Sequence, residues 1–463
     1  MTEQLKLKLN DSKATRWGAL VIVAFTMMAA YYVNDVVAPL KTMLETDLAW
    51  SSTDFGFFTG GYSFLNVFFL MLIWGGLILD RFGIRFTGKL ATILMVGGTA
   101  LEYYAMTGLA GADATLFGIN EIFGYKTGVF VAFAGYSIFG VGAEVAGITV
   151  SKIIAKWFKG KELATAMGVQ VALARIGSQA GYAVAIPLAR AFGISTPVLL
   201  GLVLLLGGMI AFFIFTVMDK KLDKQMEAAA IAAGTEDEEE KFSFKDVKNI
   251  LVNPGFWLIA LLCVLFYSCV FPFQKFASEL MIIKYGINEN VAGTFAGLPA
   301  LGALILTPVF GGFIDKRGKS ASIMLLGSAM LICVHFIYAI PDINYWLVAI
   351  VLMIILGIAF SLVPSAMWPA VAKIFPVSQL GTAYALIFFI QNIGLWGIPT
   401  LIGWVLDAYC ISGKKPDGTN MYDYTVPMCI FTGIACLSLI VALLLKKADK
   451  KYGYKLEEPN IQK

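Results

Sequence analysis

Long apolar stretches recur along the whole chain, separated by short polar or basic segments. A helix needs roughly 20 apolar residues to cross a hydrocarbon core of about 30 Å. Twelve stretches reach that length, at approximately 17–40, 54–79, 86–109, 128–157, 162–189, 195–218, 255–280, 290–313, 320–340, 345–373, 379–406 and 424–446. In lipid every backbone polar group must be satisfied within its own segment, so segments this long are predicted to be helices. The pattern therefore predicts an all-α membrane protein with twelve transmembrane helices, here called spans 1 to 12.

One segment breaks the pattern. Residues 218–253 read MDKKLDKQMEAAAIAAGTEDEEEKFSFKDVKNILVN, with an acidic run from Glu236 to Glu240 and a final stretch in which Phe244, Val247 and Ile250 share a helical face. Such charge runs are usually solvated surface. The segment is expected to be a cytoplasmic linker between an N-terminal six-helix bundle, 1–217, and a C-terminal six-helix bundle with a short cytoplasmic tail, 254–463.

Charge placement sets the orientation. With both termini cytoplasmic, 27 of the 35 Lys and Arg fall on the cytoplasmic side and six on the other, while Arg175 and Lys275 lie inside spans. That asymmetry fixes the topology by the positive-inside rule. The polar start MTEQLKLKLNDSKATR runs directly into span 1 without a cleavable-signal pattern, so it is expected to be retained.

Composition agrees: 59% of residues are hydrophobic and 14% charged, with a mean hydropathy of +0.78. A soluble globule carries about 45–50% apolar residues. The net charge of +4 is accounted for by the cytoplasmic loops and calls for no nucleic-acid partner. The six Cys, at 263, 269, 333, 410, 429 and 436, show no CxxC or other metal spacing and read as packing residues rather than disulfides. No metal or cofactor is expected. The segment GGFIDKRGKS resembles a phosphate-binding loop only superficially, because Phe313 stands where the phosphate cradle needs a glycine. The expectation is a gradient-driven transporter rather than an ATPase or another enzyme.

The two halves repeat one another. Residues 155–177, AKWFKGKELATAMGVQVALARIG, align without a gap on 372–394, AKIFPVSQLGTAYALIFFIQNIG. Likewise, GGLILDRFGIRFTGK after span 2 parallels GGFIDKRGKS after span 8. Parallel halves of six helices, with this G-x-x-x-D-R-x-G-x-R loop between spans 2 and 3, resemble the major facilitator superfamily. That resemblance implies gating roles for Asp80, Arg81 and Arg85 and for Asp315 and Lys316, with the carboxylate pairing with basic groups in one conformation and releasing them in another. Gly76 is expected to let two helices approach closely.

Ionisable groups within spans cost about 2.5–3.5 kcal/mol at mid-membrane and are functional candidates by default. Glu144 lies about 16 residues into span 4 and Arg175 about 13 residues into span 5, which places both near the midplane at about 1.5 Å per residue. Asp35 and Lys275 fall nearer the outer mouth, and the i, i+4 spacing of Lys275 and Glu279 predicts that they pair with each other. Glycines around Glu144 are expected to form the surface on which span 4 meets span 5. A structural Glu144–Arg175 ion pair is the plain alternative to a ligand site. Against it, the repeat places Ser361 and Asn392 at the equivalent positions, so the second half builds the same unit without the charges. One carboxylate and one guanidinium suit a ligand with an ammonium and a carboxylate, such as an amino acid or short peptide.

Further stretches, including YYVND, GYSFLN, GAE, WFKGKELATAMG and MWPAVAKIFPVSQLGTAYALIFFIQNIGL, resemble a dipeptide-carrying branch of the superfamily over nearly the whole chain. The resemblance implies facilitated diffusion of dipeptides, with the acid and the arginine holding the two peptide ends. Tyr31, Tyr62, Asn66, Tyr267, Trp368, Gln391 and Asn392, with Tyr32, lie on spans that line the cavity in this superfamily and are weaker candidates. Glu102 and His335 lie on spans that face outward in it and read as peripheral. The short tail lacks an acidic dileucine signal and no long lumenal insertion is present, so a bacterial inner membrane and a monomer without an accessory glycoprotein subunit are expected. Proton symport of peptides or amino acids, and a porter for small organic or inorganic anions, remain open; the latter would call for several central cations where this core offers Arg175 beside an acid.

Overall fold

The computed structural model describes residues 8–111, 114–158, 161–233 and 244–459; the acidic run at 236–240 lies outside them. Spans 1 to 6 correspond to α1 (Lys13–Val36) followed by the short α2 (Lys41–Leu48), then α3 (Ser52–Phe68), α4 (Met71–Thr107), α5 (Thr127–Trp157), α6 (Leu163–Phe192) and α7 (Thr196–Ala233). A short α8 (Phe244–Val252) leads to α9 (Pro254–Tyr285), α10 (Glu289–Ala296), α11 (Leu298–Arg317), α12 (Ser320–Ala339), α13 (Trp346–Ile374), α14 (Val377–Tyr409) and α15 (Thr425–Tyr452). Two small hairpins decorate the outer face, β1 (Glu121–Ile122) with β2 (Tyr125–Lys126) and β3 (Ile411–Lys414) with β4 (Asn420–Tyr422).

Among the described residues nine helical units are long and apolar enough to span a membrane, and the pair α3–α4, bent by 58°, forms a tenth. That pair holds spans 2 and 3, because α4 runs through the cytoplasmic loop between them. The remaining one, span 5, is α6, whose Gln170, Arg175, Ser178 and Gln179 make it more polar than its neighbours.

Local backbone chemistry explains the breaks. Ser51 and Asp54 form a reciprocal capping box at the start of α3. Leu70, at φ +54°, turns the chain between α3 and α4. Inside α4, Gly83 adopts φ +73°, and the glycine of the repeated loop, Gly318, adopts φ +70°. An L side chain is strained there, which accounts for a glycine in both copies of the loop motif. Gly76 does not bring helices together as expected, since open space lies where its side chain would be.

Helices α1 to α7 pack as one bundle and α9 and α11 to α15 as another. Within the first, α5 packs on α3 and α4, whereas α6 packs on α1. A side-chain carbon on Gly140 would sit 2.0 Å from the Tyr62 carbonyl oxygen, and one on Gly177 would sit 2.1 Å from that of Met28. Such backbone-to-backbone approach is how membrane helices gain contact without a hydrophobic driving force. The glycines of α5 therefore seat it on α3 and α4, not on α6 as the sequence suggested. The result is a gap between α5 and α6.

The bundles meet towards the outer side. Carbons added at Gly56 and Gly403 would lie 2.4 Å from the Pro399 oxygen and 2.2 Å from the Ser52 oxygen, so α3 and α14 touch there.

Candidate functional site

A cavity of about 240 Å³ lies between the bundles, walled by α1, α3, α5 and α6 on one side and by α9, α13 and α14 on the other. Glu144 and Arg175 both line it, across the gap between α5 and α6. Among the described residues they form no ion pair. Glu144 accepts a hydrogen bond from the Tyr62 hydroxyl at 3.1 Å. The Arg175 guanidinium lies over two aromatic rings, 4.9 Å from the Phe360 centroid and 5.6 Å from that of Tyr31. Its N–H groups, the fork that grips a carboxylate bidentately, make no ion pair among the described residues. The acid and the base thus stand in one chamber with neither neutralising the other.

Of the other candidates, Tyr31, Tyr62, Tyr267, Trp368 and Gln391 line the cavity, Gln391 accepting from the Cys263 thiol at 3.3 Å. Asn66 and Asn392 do not. Each is 1% exposed and outside the cavity wall, and Asn392 donates to the Phe388 carbonyl at 3.0 Å. Tyr32 also turns away, donating to the Pro197 carbonyl at 3.2 Å. The cavity includes residues not anticipated from the sequence, among them Asn34, Thr59, Tyr136, Phe271 and Phe388.

The outer end of the chamber is closed by ionic contacts between the bundles. Lys275 does not pair with Glu279. Its ammonium donates to the Asn34 carbonyl at 2.5 Å and lies 3.4 Å from Asp35 on α1. Tyr136 completes the cluster, donating to the Asn34 carbonyl at 2.7 Å. Further out, Glu279 on α9 pairs with Lys41 on α2 at 2.5 Å and accepts from the Tyr424 hydroxyl. Lys41 also pairs with Glu45 at 2.5 Å, and Lys415 lies 3.6 Å from both Glu45 and Glu279. Two cations and two carboxylates thus form a buried, charge-balanced lock. Beside it the Thr53 amide donates to Asp407 at 2.5 Å, and Arg190 of α6 pairs with Glu289 of α10.

On the cytoplasmic side several ion pairs join helices of the first half. Asp80 pairs with Lys152 at 3.1 Å, Arg85 with Asp223 at 2.5 Å, and Lys156 with Asp219 at 2.7 Å. Arg81 lies over the ring of Phe82 at 5.6 Å. A hydrogen bond from Lys161 holds the Asp11 carboxyl below its usual range. In the second half, Asp315 and Lys316 end α11, and the turn that follows them packs on the C-terminal tail, where the Lys319 amide donates to the Glu457 carbonyl at 3.1 Å.

Glu102 and His335 are not peripheral, since both are 0% exposed. His335 is a core residue, its Nε2 3.0 Å from the Cys269 carbonyl and its ring stacked on Phe431 at 5.3 Å. Glu102 lies where α4 crosses α5 closely, beside Gly135, and neither carboxyl oxygen has a hydrogen-bond partner among the described residues. Three of the cysteines, Cys263, Cys269 and Cys410, are buried, and all six are free.

Two bundles of apolar helices around a central polar chamber define a solute carrier. The chain belongs to the Major Facilitator Superfamily, whose family model matches residues 20–399 and 276–458, and it is a multi-pass integral membrane transporter. It is 29% identical over 454 residues to the human lysosomal dipeptide transporter MFSD1, covering 95% of this chain and 88% of that protein. The Danio rerio protein of the same name is 26% identical over 441 residues, covering 93% and 86%. Among solved structures, a bacterial homologue of the human lysosomal transporter Spinster, inward-facing and occupied, superposes with a TM-score of 0.67 at 14% identity, covering 97% of this chain and all of that one. A point mutant of the nucleoside transporter NupG gives 0.67 at 12% identity, covering 92% and 98%. At such identities the structural likeness speaks for the fold alone.

Proposed function

We propose that this protein carries dipeptides across the membrane by alternating access, as a uniporter, with Glu144 holding the substrate's ammonium and Arg175 its carboxylate. The observation that carries the reading is that one acid and one guanidinium share a single inter-bundle chamber without pairing. A buried charge without a partner is costly, and a zwitterionic ligand supplies both partners at once. The similarity to dipeptide transporters over 95% of the chain supports the same substrate class.

In the alternating cycle the closed outer lock belongs to the inward-facing state. Opening it separates Lys41 and Glu45 from Glu279 and Lys415, and each bundle then retains one cation and one carboxylate. Asp80, Arg81, Arg85, Asp315 and Lys316 would form the cytoplasmic counterpart in the opposite state. A monomer in a bacterial inner membrane, working without an accessory subunit, completes the reading.

The test is counterflow of a labelled dipeptide into liposomes containing the purified protein. Free dipeptides should compete, whereas N-acetylated or C-amidated dipeptides, which lose one charged end at the scale of a charge-assisted hydrogen bond, and single amino acids and tetrapeptides, whose ends are differently spaced, should compete at least tenfold less well. Competition by nitrate or organic phosphates but not by dipeptides would overturn the assignment.

A further inference from the structure

The two bundles contribute different chemistry to the chamber. The first supplies Glu144, Arg175, the tyrosines Tyr31, Tyr62 and Tyr136 and most of the hydroxyls, while the second supplies Lys275 and the rings of Tyr267, Phe271, Trp368 and Phe388. Beginning at the guanidinium, the rings are contiguous. Phe360 lies 4.9 Å from Arg175, Phe271 stands edge-on to Phe360 at 5.3 Å and 80°, and Tyr267 stacks on Phe271 at 5.5 Å and 6°. Tyr267 and Phe271 form cavity wall, and Phe360, 2% exposed, backs them. The Glu144 end differs in kind, since its neighbours Ala143 and Gly147 are small and its rings, Tyr62 and Tyr136, commit their hydroxyls to Glu144 at 3.1 Å and to the Asn34 carbonyl at 2.7 Å.

From this asymmetry we infer that Tyr267, Phe271 and Phe360 form a side-chain subsite for the second, C-terminal residue of the dipeptide, selecting aromatic and large apolar side chains there. The inference rests on the proposed placement of the substrate carboxylate on Arg175. In a dipeptide the C-terminal Cα is one bond, about 1.5 Å, from the carboxylate carbon. Whatever side chain that Cα bears must therefore lie beside the rings that begin at the guanidinium. Aromatic side chains gain both buried area and edge-to-face geometry on such a wall. A basic side chain at the same position meets two cations, Arg175 and Lys275, both of which line the chamber. The first residue's side chain, at the Glu144 end, meets small residues and tyrosines whose hydroxyls already bond Glu144 and the Asn34 carbonyl, and is read loosely.

The reversed pair Ala-Phe and Phe-Ala isolates the effect, because the two have identical composition and end groups. Counterflow of labelled Ala-Ala into liposomes holding the full-length protein, with unlabelled competitors, should give a half-maximal concentration for Ala-Phe roughly tenfold below that of Ala-Gly, with Phe-Ala above Ala-Phe and Ala-Lys weakest. In Phe271→Ala, or in Phe271→Leu should the first variant fail to fold, the Ala-Phe to Ala-Gly ratio should move towards one. Equal competition by Ala-Phe and Ala-Gly, a better Phe-Ala, or an unchanged ratio in a folded Phe271 variant overturns the subsite while leaving dipeptide transport standing. Competition by none of the dipeptides would instead overturn the transport reading, and the subsite with it.

Discussion

Two charges carry the account at the residue scale, and their substitutions have distinct expected outcomes. Arg175→Lys keeps the positive charge but loses the planar fork that lies over the rings of Tyr31 and Phe360. Dipeptide uptake should fall by more than tenfold, read in liposomes as a raised half-saturation concentration. Tyr62→Phe removes the hydroxyl that holds Glu144 at 3.1 Å, and its net loss is that of one hydrogen bond to a charged group, about 1.5–3 kcal/mol. Its uptake should fall roughly ten- to hundredfold in liposomes. Glu144 and Arg175 were legible in the sequence because each is a lone charge in an apolar stretch and its depth can be counted along the helix. The side on which a residue faces was not legible in the same way. Asn66 and Asn392 have suitable depths but point away from the chamber, because a helix that is apolar all round gives no periodic signal of its rotation.

The informative elements are the ends of α1–α2 and α9, which close the outer mouth. Spacing within α9 suggested a Lys275–Glu279 pair, but the actual partners, Asp35 and Lys41, come from the other half of the chain. Such contacts are set by how the bundles dock, and local spacing is silent about them. The lock predicts that Glu279→Gln weakens the link to Lys41 and Lys415 and shifts the population towards an open outer mouth. A cysteine placed at Thr59, on the chamber wall, should then react faster with a membrane-impermeant thiol reagent from outside than it does when Glu279 is intact, and unchanged reactivity would count against the lock. Packing shows the same division between legible and illegible features. Glycines near Glu144 were visible in the sequence, but their partners, the Tyr62 carbonyl and α4 rather than α6, followed only from the fold. Gly140→Ala should therefore lower the melting temperature and impair uptake by displacing α3, which carries Tyr62.

For the whole molecule, span count, topology and duplication were legible, because hydropathy, Lys and Arg placement and the 155–177/372–394 repeat are all one-dimensional signals. Glu102 marks where they end. Its burial comes from α4 crossing α5 at Gly98 and Gly135, a close approach that no hydropathy profile contains. The proposed uniport makes a prediction at this scale: a pH gradient or a membrane potential should change initial uptake of a neutral dipeptide by less than about twofold and should drive no accumulation above the outside concentration. The most direct test of two-ended recognition pairs a protein change with a substrate change. Wild-type protein should lose roughly a hundredfold in apparent affinity when the dipeptide's C-terminal carboxylate is amidated, the scale of removing one partner of a buried charged hydrogen-bond pair. In Arg175→Gln the same amidation should cost almost nothing further, since the partner is already gone. An undiminished penalty for amidation in Arg175→Gln would show that the carboxylate binds elsewhere and would contradict the account.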